Sequence, residues 1–505
     1  MGHRAHPLQL FVSKVNGMRK SYSMHVTAAA LAAGLAVGPA CATNPATGER
    51  EFSLMSEAQE IEVGKQYDAE IRREMGVYND PELQRYVNDI GQRLARDSHR
   101  PNLPWTFTVV DQPAVNAFAL PGGYIYVTRG ILAFLANEAQ LAGVLGHEIA
   151  HVTARHSAQA YSKATGAGIG VTLLSIFVPE ARPFQGLTET AIGLLFLKHG
   201  RDAENEADEF GVQYAAKAGW DPRGVSGMLN TLARLDEAGG SRRGVPNWLS
   251  THPAPADRVQ RVNALVQETG ITGGAGTSER ERQAFLQRVD GMVHGDSPEQ
   301  GIVRGNAFLH PDLRFALEFP QGWDVQNSPQ QVVGKAPNAE AYMILQLVQQ
   351  PKGSLEQVAV GGMQNAGFRP VVGSRAQVNG LDAFVGTYQG QMQGLGDTVV
   401  RAAHIAHEKN VYIVAGLAPR QIYGQFESAL ARGVGSFRPL SRSEAANIRP
   451  NRVDLYTVRA GQTWEQIASG PGGNMLKPAT LAIMNGFEPA QQPPAGTRVK
   501  IVVAG

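Results

Sequence analysis

The densest group of residues able to bind a metal lies in LAGVLGHEIAHVTARHSAQ, residues 141–159. Here His147, Glu148 and His151 form the pattern HExxH. Residues four apart on an α-helix lie on one face, one turn apart. The two imidazoles can therefore share one Zn²⁺ while Glu148 reaches the attacking water. The spacing predicts a hydrolytic zinc site with His147 and His151 as ligands and Glu148 as general base.

The same geometry excludes a third histidine, His156, from the zinc site. On one continuous helix it would lie roughly 140° round from His151, too far to join the same site. We therefore expect a structural or surface role for His156. The glycine and histidine that continue the motif in metzincins are also absent after His151.

The remaining ligand must come from another segment, and RDAENEADEF, residues 201–210, is the best candidate. Glu204 and Asp208 are four apart and would share a helix face. A glutamate ligand completes a His₂Glu set and leaves the fourth position open, as a catalytic zinc site requires. Asp208 could then accept a hydrogen bond from a ligand histidine. A solvated helix face is the alternative for so charged a run.

Catalysis would also need a partner for the developing oxyanion besides the metal. Arg201 and His199 lie just before Glu204 and are the candidates. A surface ion pair is the alternative role for Arg201.

Chain length, net charge and the position of the cysteine indicate which class of protein this is. The length of 505 residues suggests about three domains. The net charge of +1 shows no surplus of basic residues, so the composition does not indicate a nucleic-acid partner. The only cysteine, Cys41, follows basic residues and a short apolar run at 26–37, the layout of an export signal. Two processing routes stay open: lipidation of Cys41, which would anchor a periplasmic lipoprotein to the membrane, or cleavage after Ala42.

The pattern along the chain predicts an α+β protein. Residues 1–42 are the signal, and 43–290 form a mainly helical catalytic domain of zincin type with a small β-sheet. Within it we expect strands at 105–112 and 122–130 and a long helix at 131–160. The apolar segment 164–200 is either two buried helices or a membrane-apposed hairpin. Residues 300–445 form an α+β domain, in which His404 and His407 face opposite sides of a strand and are structural.

The order of four motifs carries a family resemblance: NAFALPGGYIYVTRGIL, HEIAHVTARH, RDAENEAD and STHPAPADR. Residues 45–270 resemble the zinc metallopeptidases of the HtpX and CAAX-prenyl-protease type, above all the periplasmic, BepA-like branch. The resemblance implies one Zn²⁺ held by His147, His151 and Glu204. It implies that Glu148 is the base and that Asp208 is a hydrogen-bond partner of a ligand. It implies protein or peptide substrates, among them misfolded or unassembled envelope proteins.

The same resemblance makes two further predictions. An edge strand formed by Gly123, Tyr124, Ile125 and Tyr126 would bind the substrate backbone by strand addition. His252, in STHPAP, would approach the zinc and hold the enzyme latent; a loop histidine beside the next helix is the alternative.

Residues 453–504 resemble a LysM module, with a strand at Tyr456, helices after Thr463 and before Asn485, and a returning strand. The resemblance implies a βααβ fold that binds peptidoglycan. The alternative is that the module only packs against the middle domain.

A different class of function also remains open. The chain could be a non-proteolytic envelope assembly factor or chaperone whose zinc site stays shut, although an intact Glu148 argues against it.

Overall fold

The computed structural model describes residues 41–166, 199–238, 248–252, 256–271, 273–328 and 331–505. They form two compact units. The first runs from the start of the described chain to Gly295 and includes Pro450–Gly505; the second is Asp296–Arg449. Most of the predicted hairpin at 164–200 lies outside the described residues. No helix of the described part is both long and apolar enough to span a bilayer.

The first unit is mainly helical, with short strands. Its strands are β1 (Cys41–Thr43), β2 (Arg50–Phe52), β3 (Thr106–Val110), β4 (Ala117–Leu120), β5 (Tyr124–Thr128), β17 (Arg452–Thr457) and β18 (Arg498–Val503). Its helices are α1 (Glu57–Met75), α2 (Pro81–Arg96), α3 (Arg129–Phe134), α4 (Glu138–Thr153), α5 (His156–Gly166), α6 (Arg201–Lys217), α7 (Arg223–Glu237), α8 (Trp248–Thr251), α9 (Ala256–Glu268), α10 (Glu279–Val289), α14 (Trp464–Ser469) and α15 (Pro478–Met484).

Local signals explain where the first helices begin. The Ser56 side chain accepts a hydrogen bond from the Gln59 backbone N, and the Gln59 side chain accepts one from the Ser56 backbone N, which forms a capping box at the start of α1. Asp80 caps α2, with Pro81 in its first turn. Ser56 and Asp80 are residue types that favour helix starts, so the sequence alone marks both positions.

The predicted helix over 131–160 is wrong, because the chain breaks it twice. Asn137 caps a new helix, α4, by accepting a hydrogen bond from Gln140 N. At the other end, Arg155 has φ +58°, the left-handed conformation that ends helices. The Arg155 side chain is tied to Glu60 on α1, 2.6 Å away, so a tertiary ion pair supports the break.

The three-stranded sheet has the order β3-β5-β4, with β5 parallel to β3 and antiparallel to β4. The predicted edge position of Gly123, Tyr124, Ile125 and Tyr126 is therefore wrong. Both sides of that strand already carry backbone hydrogen bonds: Thr106 N, for example, donates to Gly123 O at 2.9 Å. Within the described residues, β4 has no strand on its outer side, and α4 packs against β4.

Two glycines set the distance between α4 and α6. A Cβ atom at Gly146 would lie 3.2 Å from the Gly211 carbonyl oxygen, and one at Gly211 would lie 3.3 Å from the His147 nitrogen. Without side chains there, the backbones approach closely, as small residues allow. This contact brings the HExxH helix beside the helix that carries Glu204.

The C-terminal segment forms β17, α14, α15 and β18 in chain order, with the two strands paired antiparallel. Its apolar side chains belong to the same core as the helical part of the unit. Lys500 is fully buried, and its Nζ donates to the carbonyls of Ala133 (2.7 Å) and Leu135 (2.5 Å). Burial holds the pKa of Lys500 well below its usual value. These two bonds attach the segment to the end of α3.

The second unit is built on antiparallel sheets. A seven-stranded sheet has the order β12-β13-β14-β15-β11-β10-β9, and a four-stranded sheet has the order β16-β8-β7-β6. The strands are β6 (Ile302–Arg304), β7 (Ala307–His310), β8 (Phe315–Glu318), β9 (Asp324–Ser328), β10 (Gln331–Lys335), β11 (Tyr342–Leu347), β12 (Phe368–Val378), β13 (Leu381–Met392), β14 (Gly396–His407), β15 (Asn410–Pro419) and β16 (Arg438–Pro439). The helices are α11 (Leu355–Asn365), α12 (Arg420–Val434) and α13 (Arg442–Ala446). His404 and His407 are both buried in β14.

Prediction: Glu60→Gln will lower the free energy of unfolding by about 3 kcal/mol, because it removes the buried carboxylate that Arg100 and Arg155 share and leaves them only Glu57 and Glu51. Glu60 is 1% exposed and lies 2.8 Å from Arg100 as well as beside Arg155. Urea unfolding measures the change.

The matched control is Glu82→Gln, which breaks an exposed pair with Arg288 at 3.4 Å and should cost less than about 1 kcal/mol. Equal losses in the two variants would contradict the role of the buried pair.

Candidate metal centre

Four side chains from three segments converge in the interior of the first unit: His147, His151, Glu204 and His252. His147 and His151 lie one turn apart on α4, and Glu204 lies in the first turn of α6. His252 directly follows α8, and its backbone N donates to Trp248 O at 2.9 Å. All four side chains are at most 2% exposed.

The donor atoms have the spacing of a tetrahedral zinc site. Zn–N and Zn–O bonds of 2.0–2.1 Å place tetrahedral ligand atoms roughly 3.3 Å apart. Here His147 Nε2 lies 3.0 Å from His151 Nε2 and 3.5 Å from Glu204 Oε2. His151 Nε2 lies 3.6 Å from Glu204 Oε1. His252 Nδ1 lies 3.4 Å from His147 Nε2 and 3.0 Å from Glu204 Oε1. The four residues could hold one zinc ion.

The charge around the cluster also suits a dication. Three buried carboxylates, Glu148, Glu204 and Asp208, face one buried arginine, Arg258. Arg258 lies 2.8 Å from Glu204 Oε2 and forms two bonds to Asp208 at 2.7 and 2.8 Å. Arg261 also reaches Asp208, at 3.5 Å, from a partly exposed position. The carboxylates still outnumber the arginines, and a Zn²⁺ would offset the excess negative charge, which has a high desolvation cost.

The pKa values reflect this charge. Burial opposes ionisation of Asp208, but hydrogen bonds from Arg258 and His147 hold its pKa below the usual range. Burial also opposes protonation of His147, yet Asp208 and Glu204 outweigh it and raise the pKa of His147 to about 9. The negative potential that attracts a proton to this ring attracts a metal cation as well, and metal binding releases the proton.

The outer nitrogens of both imidazoles have partners. Asp208 Oδ1 lies 3.1 Å from His147 Nδ1. His156 Nδ1 lies 2.8 Å from His151 Nδ1, and His156 Nε2 lies 2.8 Å from Glu206 Oε2. Such contacts leave Nε2 of each ring facing the cluster.

The geometric reason for setting His156 aside is therefore wrong. It assumed one helix through both histidines, but Arg155 ends the turn between them and His156 starts α5. The reversal brings the His156 ring back to His151, with ring centroids 4.9 Å apart.

Glu148 lies beside the cluster and is held by its surroundings. It is 1% exposed, and its Oε1 accepts a hydrogen bond from Trp248 Nε1 at 3.2 Å. His252 Nε2 lies 3.6 Å from the same oxygen, and the His252 ring stacks on Trp248 with centroids 4.5 Å apart. These two contacts hold Oε1 of Glu148 in place, and Oε2 takes part in neither of them.

The two candidates for oxyanion stabilisation lie in different places. The His199 ring stacks on His151, with centroids 4.0 Å apart. The Arg201 side chain is 70% exposed and pairs with Asp257 at 2.5 Å. The structure thus brings His199, and not Arg201, next to the cluster.

Three residues near the cluster were not selected from the sequence: Trp248, Arg258 and Glu206. Trp248 lies two residues before the motif STHPAPADR and Arg258 is its last residue, so their closeness to His252 was the available signal. Glu206 lies two residues after Glu204 on a run of charges, and nothing in that run distinguishes it.

Similarity to known proteins agrees with this geometry. Residues 81–266 match the model of Peptidase family M48. It is 34% identical over 226 residues to the beta-barrel assembly-enhancing protease of Escherichia coli (strain K12), covering 43% of this chain and 46% of that protein. It is 33% identical over 227 residues to the mitochondrial metalloendopeptidase OMA1 of Arabidopsis thaliana, covering 45% and 44%. The chain thus spans about half the length of the curated relatives it matches.

Prediction: the full chain will bind one zinc ion per molecule, and His151→Ala or Glu204→Gln will lower zinc affinity. The loss should exceed the roughly 10–100-fold that removal of an outer partner costs, because a ligand is removed directly. Chelator competition and elemental analysis measure affinity and stoichiometry.

His99→Ala is the control, since His99 Nδ1 contacts Tyr214 Oη at 2.6 Å in the same unit but not the cluster. Unchanged zinc binding in both ligand variants would contradict the site.

Proposed function

We propose that this chain is a zinc-dependent metalloendopeptidase of the bacterial cell envelope. Its zinc ligands are His147, His151 and Glu204, and Glu148 is the general base. The observation that carries the proposal is the convergence of these donors at tetrahedral spacing, with Glu148 beside them. The match to Peptidase family M48 and the printed names of the relatives support the same reaction class.

The chemistry follows from the residues around the metal. Bound zinc supplies Lewis acidity, which polarises a scissile carbonyl and favours deprotonation of a water molecule. Glu148 takes the proton of the attacking water and passes it to the leaving amine. Trp248 orients the carboxylate for this transfer through its 3.2 Å hydrogen bond. His199 is the nearer candidate for stabilising the oxyanion, since Arg201 pairs with Asp257.

The substrate would bind as an added strand on β4 rather than on β5. The outer side of β4 carries no strand among the described residues, and β4 packs against the helix that bears Glu148. An extended peptide can form main-chain hydrogen bonds with such an edge. Main-chain pairing reads little of the side chains, so we expect broad sequence preference.

Location and partners extend the proposal. The signal-like N-terminal sequence supports export to the periplasm, with Cys41 as the site of a lipid anchor. The term "beta-barrel assembly-enhancing" in the relatives' names supports misfolded or unassembled envelope proteins as substrates. The strand–helix–helix–strand order of the C-terminal segment supports a LysM-like module that binds peptidoglycan.

The position of His252 bears on activity. Its Nδ1 lies 3.4 Å from His147 Nε2 and 3.0 Å from Glu204 Oε1, so His252 would hold the zinc at the position that a catalytic site keeps open. We propose that this arrangement is a latent state and that substrate cleavage requires His252 to leave. The same contact favours the second candidate function, a non-proteolytic assembly factor whose zinc site stays closed.

Prediction: Glu148→Gln will reduce casein cleavage by about 10²–10⁴-fold, because the amide cannot accept the proton. Zinc content should stay at the wild-type level, since Glu148 is not a ligand. A chelator should abolish wild-type cleavage, and added zinc should restore it. Casein cleavage by Glu148→Gln at the wild-type rate would contradict the role of Glu148 as the base. No cleavage by the wild type and His252→Ala alike would favour the assembly-factor function.

Prediction: His252→Ala will raise casein cleavage while the chain still binds one zinc. A rise of about tenfold would correspond to a site that is open in roughly a tenth of wild-type molecules. Thr251→Ala is the control, because it alters the neighbouring residue and leaves the imidazole in place. Lower activity in His252→Ala would mean that this histidine assists the reaction and does not block it.

A further inference from the structure

A hydrogen-bonded chain runs from the metal cluster towards the surface through Glu206, His156 and His151. Both links measure 2.8 Å, from Glu206 Oε2 to His156 Nε2 and from His156 Nδ1 to His151 Nδ1. His151 and His156 are buried, whereas the Glu206 side chain is 28% exposed.

The donors and acceptors along the chain admit one consistent assignment. A histidine that binds metal through Nε2 carries its proton on Nδ1, so His151 Nδ1 donates. His156 Nδ1 must then accept, which places the His156 proton on Nε2. That proton points at Glu206, and an ionised carboxylate only accepts hydrogen bonds. Each atom thus has one role.

From this assignment we infer that His156 and Glu206 are positioning residues that set the tautomer and orientation of the zinc ligand His151. The inference rests on the proposed function, since it needs zinc at the cluster. Outer partners of this kind raise ligand basicity and usually account for about 10–100-fold in metal affinity. Asp208 does the same for His147, so both imidazole ligands end on a carboxylate, one directly and one through a second imidazole.

A second metal ion on His151, His156 and His199 is the rival explanation, because their nitrogens lie close together. One distance and one angle between rings disfavour it. Two nitrogens on one tetrahedral zinc lie roughly 3.3 Å apart, whereas His151 Nδ1 and His156 Nδ1 are 2.8 Å apart, a hydrogen-bond distance. The rings of His151 and His199 stack at 25°, so their in-plane lone pairs run nearly parallel and do not converge.

The test compares two replacements of equal shape at His156. In His156→Asn, the side-chain oxygen takes the place of Nδ1 and can accept from His151. In His156→Leu, a methyl group takes that place and cannot. We expect zinc affinity within about threefold of wild type for His156→Asn and a loss of about 10–100-fold for His156→Leu. Chelator competition on the full chain gives the affinities, and melting of the zinc-free proteins shows whether both variants fold.

A second arm tests whether Glu206 acts through His156. Glu206→Leu should weaken zinc binding in the wild type but cause no further loss in the His156→Leu background, since the intermediate ring is gone. Glu209→Leu is the matched control on the same helix, because within the described part of the chain the polar partner of Glu209 is Gln213, at 3.4 Å.

Each result of these zinc-binding measurements leads to a different conclusion about His156. Equal losses of zinc affinity in His156→Asn and His156→Leu would show that His156 has a packing role. Wild-type affinity in His156→Leu would show that it has no role in zinc binding. Either result overturns the inference but not the proposed function. Two zinc ions per wild-type chain, falling to one in His156→Leu, would overturn it in favour of the second metal site. No zinc binding by the wild type would overturn the proposed function and the inference together.

Discussion

Buried negative charge is the constraint on which the centre of this protein depends. Glu148, Glu204 and Asp208 lie in an interior where an uncompensated charge costs several kcal/mol. Arg258 offsets part of it by pairing with Glu204 and Asp208 at 2.7–2.8 Å. The remainder suits a dication at the point where His147 and His151 direct their Nε2 atoms. The charge and the donor geometry therefore favour the same occupant.

Close helix packing makes this concentration of charge possible. Gly146 and Gly211 let α4 and α6 approach until the HExxH face meets Glu204. The outer nitrogens of both imidazoles are then held from behind, by Asp208 and by His156. A site held on two helices and supported in this way keeps its geometry without help from loops.

The proposed latency depends on His252, the fourth member of the cluster. His252 contacts the ligands and also stacks on Trp248, which holds Glu148. Movement of α8 would therefore change the open coordination position and the base together. In contrast to the ligands on α4 and α6, both residues lie on a short segment, so this element is the one suited to act as a switch.

The sequence by itself determined the features that depend on neighbouring residues. Helical spacing paired His147 with His151 and Glu204 with Asp208, and local caps marked the starts of α1 and α2. Only tertiary structure decided the rest. The left-handed turn at Arg155, supported by Glu60 on α1, returned His156 to His151 and broke the expected long helix. Pairing of β5 with strands on both sides removed it from the edge and left β4 there. Arg258 and Trp248 joined the site through contacts between distant segments. Periodicity and capping act over one or two turns, whereas these contacts depend on how whole segments pack, which no local pattern encodes.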